Sequence, residues 1–347
     1  MSCKRNRATS RVKTLACAGA LAAMLLAPSS AFAASPEDFP VRRVNFYIGF
    51  AAGGYDSYAR LLTRHMGRYL PGSPDVVPMN MPGAGSVKLV QYLNSAAPAD
   101  GSAMGIIDRG LFVAIFTNPA IPKFDFPAMK WIGSITNENL LCVSWHASPV
   151  KVFEDMLTRD FVTGGVTQGV AWTSAAVMQK MLGAKLKFIS GYPGGNEILI
   201  AMERGELDGR CAWSHSSVMT SRPDWIAEKK INVLLQYALT RSPELPDVPT
   251  TLEVAKDDRQ RDIIRFLFAP EAVARPIVAP PGLNPARLAI LRKGFLDTMA
   301  DKAFRAEADK LGMDINPTSG DRLAEIISEI AQTPPDIIEE ARELLKQ

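Results

Sequence analysis

Cysteine and histidine are scarce in this sequence of 347 residues, which contains four cysteines and three histidines. Two of the cysteines belong to the N-terminal segment, so only Cys142 and Cys211 remain for the rest of the chain. These two lack the C-x-x-C spacing of zinc and redox motifs, and the histidines lie far apart along the chain. The sequence therefore argues against a disulfide-dense scaffold, and we expect neither a metal nor a cofactor.

Nucleotide-binding and hydrolase motifs are also missing. The sequence contains no G-x-x-x-x-G-K-[ST] loop and no G-x-S-x-G turn, and residues 164–169 match the dinucleotide fingerprint only in part. His215, between Ser214 and Ser216, is the one histidine whose neighbours suggest catalysis. An exported hydrolase that uses His215 is therefore the alternative that we keep against a protein without enzymatic activity.

Charge of one sign is not concentrated in the bulk of the chain. The net charge is +3, but the first 33 residues hold five of the 39 basic residues and none of the 36 acidic ones. The remaining chain is thus close to neutral. This balance argues against a surface for nucleic acid or for an anionic membrane.

Residues 1–33 have the layout of a secretory signal. A basic stretch ends at Lys13, an apolar stretch follows, and Ala31 and Ala33 supply the small residues of an A-x-A cleavage site. An apolar helix of about 13 residues spans roughly 20 Å, short of a hydrocarbon core of about 30 Å, so a membrane anchor is the weaker interpretation. We predict cleavage after Ala33 and export of the mature chain.

From Phe39 onward, short apolar runs alternate with longer amphipathic ones, a pattern typical of an α/β fold. One series of βα units begins near residue 44 and a second near residue 140, which predicts two lobes. Ligands of open parallel sheets bind at the carboxyl ends of the strands, where helix N-termini offer free N–H groups. Two such edges facing each other across a cleft suit a small anion.

Three turns that follow strands of the first series are candidates for ligand binding. Residues 53–57 fit either a ligand loop or a tight turn in which Asp56 or Ser57 caps the next helix. Residues 83–86 combine two glycines with Ser86 as the predicted helix cap, which suits a carboxylate bound by backbone N–H groups. Arg109, in the third turn, either forms a bidentate contact with the ligand or pairs on the surface with Asp108 or Asp56.

Short motifs follow one another in a fixed order along the chain. They are Phe-Ala-Ala-Gly-Gly-Tyr-Asp-Ser-Tyr-Ala-Arg-Leu-Leu at 50–62, Pro-Gly-Ala-Gly at 82–85, Ala-Pro-Ala-Asp-Gly at 97–101, Ser-Gly-Tyr-Pro-Gly-Gly at 190–195, Leu-Pro-Asp-Val-Pro-Thr at 245–250 and Ala-Pro-Pro-Gly at 279–282. Together they resemble the Bug-type solute receptors of tripartite tricarboxylate transporters, over nearly all of the chain after the predicted signal.

The resemblance implies a type II periplasmic-binding-protein fold with two lobes around a ligand cleft. Residues 34–136 plus 265–347 are expected to form lobe 1, and residues 137–264 lobe 2. It also implies a monomeric receptor that captures a small organic carboxylate and delivers it to membrane permease subunits, with presentation to a sensor kinase as the alternative. Tyr55 and the stretch 164–169 depart from the family pattern, so the identity of the carboxylate does not follow.

The expected ligand contacts come from both lobes. In lobe 1 they are Gly54, Tyr55, Asp56, Ser57, Gly83, Ala84, Gly85, Ser86 and Arg109, and in lobe 2 they are Thr167, Tyr192, Asn196 and Trp213. Tyr192 and Trp213 suit an apolar or aromatic ligand body. In a lobe of this fold Cys142 and Cys211 fall on adjacent strands, which leaves a disulfide and two buried thiols both open.

Overall fold

The computed structural model describes residue 39 and residues 41–165, 170–192 and 195–346. The predicted signal segment, its cleavage site and the candidate Thr167 lie outside the described residues. Among the helices of the described part of the chain, we find none with the length and apolarity needed to cross a membrane.

The strands of the described residues form two sheets. In chain order they are β1 (Arg43–Ile48), β2 (Asp75–Asn80), β3 (Ala103–Ile106), β4 (Lys130–Ser134), β5 (Leu140–Trp145), β6 (Phe161–Gly165), β7 (Leu186–Ser190), β8 (Gly209–Ser214), β9 (Ile231–Tyr237), β10 (Pro276–Ala279) and β11 (Thr318–Ser319). One sheet has six strands in the order β11-β4-β10-β3-β1-β2, and the other has five in the order β7-β6-β8-β5-β9.

Helices connect the strands and pack on the sheets. They are α1 (Gly54–Met66), α2 (Val87–Ser95), α3 (Leu111–Thr117), α4 (Asp155–Thr158), α5 (Val170–Ala176), α6 (Gly195–Glu203), α7 (His215–Ser221), α8 (Asp224–Ala227), α9 (Asp258–Phe268), α10 (Pro285–Ala300), α11 (Lys302–Lys310), α12 (Gly320–Ala331) and α13 (Pro335–Leu345). Proline begins α10 and α13, where the first turn needs no N–H donor. The predicted α/β fold is confirmed.

The core of the six-stranded sheet fixes the first candidate loop. Val44, Phe46 and Ile48 of β1 are fully buried, and so are Leu61 and Leu62 of α1. Removing each such side chain from water stabilises the fold by about 1.5–3 kcal/mol. Because both elements are anchored in one apolar cluster, the loop between them is held at a defined place at the end of β1.

The carboxyl edges of the two sheets meet at one crossover, residues 135–139. β4 and β3 both run antiparallel to β10, so β4 ends at the same edge as β3, and its last residue Ser134 leads into the crossover. In the other sheet Leu140, the first residue of β5, pairs with Ser214, the last residue of β8. The loops after β1, β2 and β3 therefore face the loops after β6, β7 and β8.

The predicted boundary between residues 264 and 265 falls inside α9, which is continuous over Asp258–Phe268. Arg259 of this helix forms ion pairs with Asp336 and Glu340 of α13. A boundary at that position would split one helix between two lobes. We therefore propose that the second lobe ends before α9, whose N-cap is Asp257.

The two cysteines form a disulfide. Cys142 lies on β5 and Cys211 on β8, which are neighbours in the five-stranded sheet, and 69 positions separate them in the sequence. Both side chains are buried. The sequence leaves a disulfide and two buried thiols both open, and the structure has the disulfide.

Candidate functional site

The side chain of Asp56 holds the first loop in place and does not cap α1. α1 has Gly53 as its N-cap, so the predicted cap by Asp56 or Ser57 is wrong. Asp56 lies one turn before Arg60 and accepts a hydrogen bond from its Nε at 2.9 Å, and it accepts another from Asn80 Nδ2 at 2.7 Å. These bonds lower the pKa of the Asp56 carboxyl and tie the start of α1 to the end of β2.

The second loop is joined to both of its neighbours by Ser86. This buried residue precedes α2 but makes no side-chain cap, contrary to expectation. Its hydroxyl donates to the Gly49 carbonyl at 3.3 Å and accepts from the Asp108 N–H at 3.2 Å. A Cβ atom at Gly49 would lie 2.2 Å from Ser86 Oγ, so this contact requires glycine there. The three candidate loops thus converge.

The same loop presents backbone donors. Ala84, Gly85 and Ser86 have positive φ angles of 44°, 59° and 71°, a region that costs alanine and serine about 1–2 kcal/mol each. The N–H groups of these three residues have no hydrogen-bond acceptor within the described part of the chain. Consecutive free N–H groups at a sheet edge and helix start are the chemistry that binds a small anion.

Tyr55 forms the wall beside these donors. Its ring stacks on Phe50 at 4.2 Å, and the Arg275 guanidinium lies 4.5 Å from the ring centroid. Its hydroxyl donates to Asp108 Oδ1 at 3.4 Å and accepts from the Arg109 N–H at 3.4 Å. Burial, reinforced by Asp108, raises the pKa of Tyr55 to about 12, so the hydroxyl stays protonated at neutral pH.

Arg109 lies in a buried cluster of four charges. Its Nη2 is 2.8 Å from Glu271 Oε2, and its Nη1 is 3.8 Å from Glu138 Oε2. Arg275 approaches Glu138 at 3.5 Å. All four side chains are at most 12% exposed. Two positive and two negative charges balance, and the alternative of a surface pair with Asp108 or Asp56 is wrong.

The pKa values of the two carboxyls in this cluster are shifted in opposite directions. Burial acts to raise the pKa of Glu138, but Arg275, Arg109 and hydrogen bonds outweigh it and lower that pKa. Burial raises the pKa of Glu271 in spite of Arg109. Glu138 is therefore the carboxylate that is firmly charged at neutral pH.

The lowered pKa of Glu138 predicts an acid-sensitive contribution to stability. Its ordinary pKa is 4.5, and the folded state holds its proton less tightly than the unfolded state does. The contribution is therefore complete above that value and is lost as the pH falls through the lower, folded pKa. Thermal unfolding from about pH 5 to pH 3 should show a shallower decline for Glu138→Gln than for the wild type. An unchanged decline would contradict this assignment.

Glu138 and the residue after it also contact the start of α7. Its Oε1 accepts from Ser216 Oγ at 2.6 Å, and the neighbouring Asn139 carbonyl accepts from the His215 N–H at 3.0 Å. The His215 ring faces a carboxylate, with Nδ1 3.1 Å from Glu244 Oε2. These residues border a cavity of about 360 Å³ at the crossover. His215 is thus held at the junction of the lobes by an acidic partner.

The structure describes three other candidates of lobe 2, of which two line one cavity and the third packs on a glycine. Asn196 and Trp213 line a cavity of about 360 Å³ between α6 and α7. Asn196 is exposed, whereas Trp213 is 2% exposed and packs against Trp225, so its ring belongs to the core below the cavity. Tyr192 packs its ring on Gly164, where a Cβ atom would lie 2.7 Å from it.

Arg210 is the main residue of this cavity that the sequence patterns do not predict. Its guanidinium lies 4.9 Å from the Trp213 ring centroid, and Nη1 donates to the Gly195 carbonyl at 3.3 Å. The available signal was an arginine inside an apolar strand. Glu138, Glu271 and Arg275 had no local signal, because their partners are distant in the sequence.

The chain matches a known family over most of its length. Residues 58–343 match the family model described as the tripartite tricarboxylate transporter family receptor, TctC. The chain belongs to this family. TctC proteins are periplasmic solute-binding receptors and not enzymes, which excludes the hydrolase alternative at His215. The predicted resemblance is confirmed.

Relatives of known sequence or structure cover nearly the whole chain. The "UPF0065 protein in gbd 5'region" of Cupriavidus necator is 25% identical, over 93% of this chain and 94% of its own. A TctC solute-binding protein from Polaromonas has a TM-score of 0.66 at 16% identity, covering 87% of this chain and 99% of that one. MatC from Rhodopseudomonas palustris, with bound malate, has a TM-score of 0.59 at 20% identity, covering 89% and 100%. These likenesses confirm the periplasmic-binding-protein fold.

Proposed function

We propose that this TctC-family receptor captures a small organic carboxylate between its two sheets and delivers it to the membrane permease subunits of a tripartite transporter. The observation that carries the proposal is the row of free N–H groups at Ala84, Gly85 and Ser86. The row lies at the edge of the first sheet that faces the second. MatC has bound malate, which is likewise a small organic carboxylate.

The four-charge cluster supplies no counter-ion for this ligand, because its own charges balance one another. Arg109 and Arg275 face Glu138 and Glu271, so the cluster adds no net charge beside the loop. A carboxylate bound by N–H dipoles forms charge-assisted hydrogen bonds without a permanent counter-ion. Direct contact between Arg109 and the ligand stays a prediction on which this proposal does not depend.

The proposed location is the periplasm, reached by cleavage of the predicted signal after Ala33. The bond between Cys142 and Cys211 supports an oxidising compartment. We further propose that the receptor acts as a monomer, since two lobes of one chain enclose the cleft.

A thermal-shift screen of organic acids tests the function. A ligand at a hundredfold excess over its Kd should stabilise the fold by about 2.7 kcal/mol, because it binds only the folded state. The matched control for each acid is its neutral methyl ester or amide, which should stabilise much less. The acid should be recovered unchanged by NMR. Absence of any stabilising acid, aliphatic and aromatic acids included, would contradict the proposal.

A further inference from the structure

Arg210 is a largely buried cation without an acidic partner in the described part of the chain. Its guanidinium contacts the Trp213 ring and the Gly195 carbonyl, and no described carboxylate lies within ion-pair distance of it. Burial lowers the pKa of Arg210 to about 10, so the side chain is charged at neutral pH. Such a charge is ordinarily paired, because its removal from water is costly.

Other arginines of the molecule show the ordinary arrangement. Both arginines of the four-charge cluster face carboxylates of the same cluster. Arg222 lies 5.3 Å from the Trp225 ring centroid, much as Arg210 lies over Trp213, but it also pairs with Glu203 at 3.7 Å. Arg210 therefore has a positive charge that nothing in the described chain offsets.

The cavity beside Arg210 is lined by hydrogen-bond donors. The guanidinium shares it with the amide of Asn196 and the hydroxyls of Ser217 and Ser221, and none of the described residues that line it is acidic. An arginine surrounded by an amide and hydroxyls favours a carboxylate, which forms charge-assisted hydrogen bonds with such donors. The volume of about 360 Å³ has room for the side chain of an aspartate or glutamate.

The two helices that form the cavity also expose apolar side chains. Ile200 of α6 is 41% exposed and lies one turn after Asn196, on the same side of the helix. Met219 of α7 is 46% exposed. Arginine, tryptophan and methionine are enriched where proteins bind one another, and an acidic side chain with apolar neighbours complements this set. A free inorganic anion would gain nothing from the apolar side chains, so the surface favours a protein partner.

We infer that the exposed surface of α6 and α7 around Arg210 docks the membrane permease, and that an aspartate or glutamate side chain of the permease enters the cavity and pairs with Arg210. This inference rests on the proposed function, which supplies the permease as partner. It assigns Arg210 to the delivery of the ligand and not to its capture. It therefore separates two properties, ligand affinity and uptake, that a residue of the ligand site would change together.

Measuring ligand binding and uptake separately tests this inference. A strain that lacks the receptor gene is complemented with the wild type, Arg210→Gln or Arg210→Glu, and uptake of a radiolabelled carboxylate found by the thermal-shift screen is followed at low concentration. Calorimetry with the same acid gives the Kd of each purified receptor. Uptake should fall by about tenfold or more in Arg210→Gln and further in Arg210→Glu, because one partner of a desolvated charge pair is lost or reversed. The Kd should equal that of the wild type in both variants.

Two controls separate docking from folding. Arg222→Gln removes an arginine that is also stacked on a tryptophan but is already paired, and it should retain uptake. Immunoblots should show equal amounts of every receptor in the cells. If the Arg210 variants do not fold, the exposed Ile200 supplies a second pair, in which Ile200→Glu should reduce uptake through repulsion of the acidic partner and Ile200→Lys should reduce it less.

The outcomes distinguish the inference from the function it rests on. Unchanged uptake in Arg210→Gln and Arg210→Glu, or equal losses in Ile200→Glu and Ile200→Lys, would overturn the inference and leave the receptor function intact. A weaker Kd in Arg210→Gln would assign the cavity, with the predicted contacts Asn196 and Trp213, to the ligand site and would also overturn it. Sulfate that stabilises the wild type but not Arg210→Gln, with uptake unchanged, would assign the cavity to an inorganic anion. A wild type that binds no carboxylate would overturn both the inference and the function.

Discussion

Replacing Arg109 with alanine is expected to lower the free energy of unfolding by about 3–5 kcal/mol, the cost of breaking a buried ion pair from one side. The substitution leaves the Glu271 carboxylate, which is 7% exposed, without the cation 2.8 Å away. It also removes one of the two positive charges near Glu138. Denaturant unfolding of the ligand-free protein measures the effect.

An exposed ion pair provides the matched control for Arg109. Arg64 contacts Glu307 at 2.6 Å, but its side chain is 49% exposed, so Arg64→Ala should cost under about 1 kcal/mol. The double variant Arg109→Met/Glu271→Met removes both charges and should recover much of the loss. Equal effects of Arg109→Ala and Arg64→Ala would show that the four-charge cluster is not buried as described.

Reducing the bond between Cys142 and Cys211 is expected to cost about 4 kcal/mol, from the chain entropy of a loop of roughly 70 residues in the unfolded state. The bond joins β5 and β8 inside the five-stranded sheet, between positions 69 residues apart. Unfolding of the wild type with and without a reductant measures this contribution.

The control for the disulfide is Cys142→Ala/Cys211→Ala, whose unfolding should not respond to the reductant. Mass measurement after alkylation of the unfolded, unreduced protein should detect no free thiol at either position. Two alkylated cysteines in that experiment would contradict the bond.

The sequence predicts the strands well where an apolar run is bounded by turn residues. The two series of βα units are predicted to begin near residues 44 and 140, and β1 begins at Arg43 and β5 at Leu140. The pattern does not predict β4, β10 or the two-residue β11. These strands pair with distant partners, and their short apolar runs carry no local mark of that pairing.

The candidate site is predictable where it depends on backbone and not where it depends on long-range pairing. Glycines and Ser86 identify the loop at 83–86, and the structure places it beside the other two loops. The hydroxyl of Ser86 bonds across the loops instead of capping α2, because the residue is buried between them. The partners of Arg109 come from positions 138 and 271, which no spacing rule connects to it.

The crystal structure of the protein with a carboxylate found by the thermal-shift screen tests the central claim most directly. We predict carboxylate oxygens about 2.7–3.2 Å from the backbone nitrogens of Ala84, Gly85 and Ser86, with the ligand enclosed between the two sheets. A ligand bound at the crossover cavity beside His215, with these three N–H groups making no contact to it, would contradict the claim.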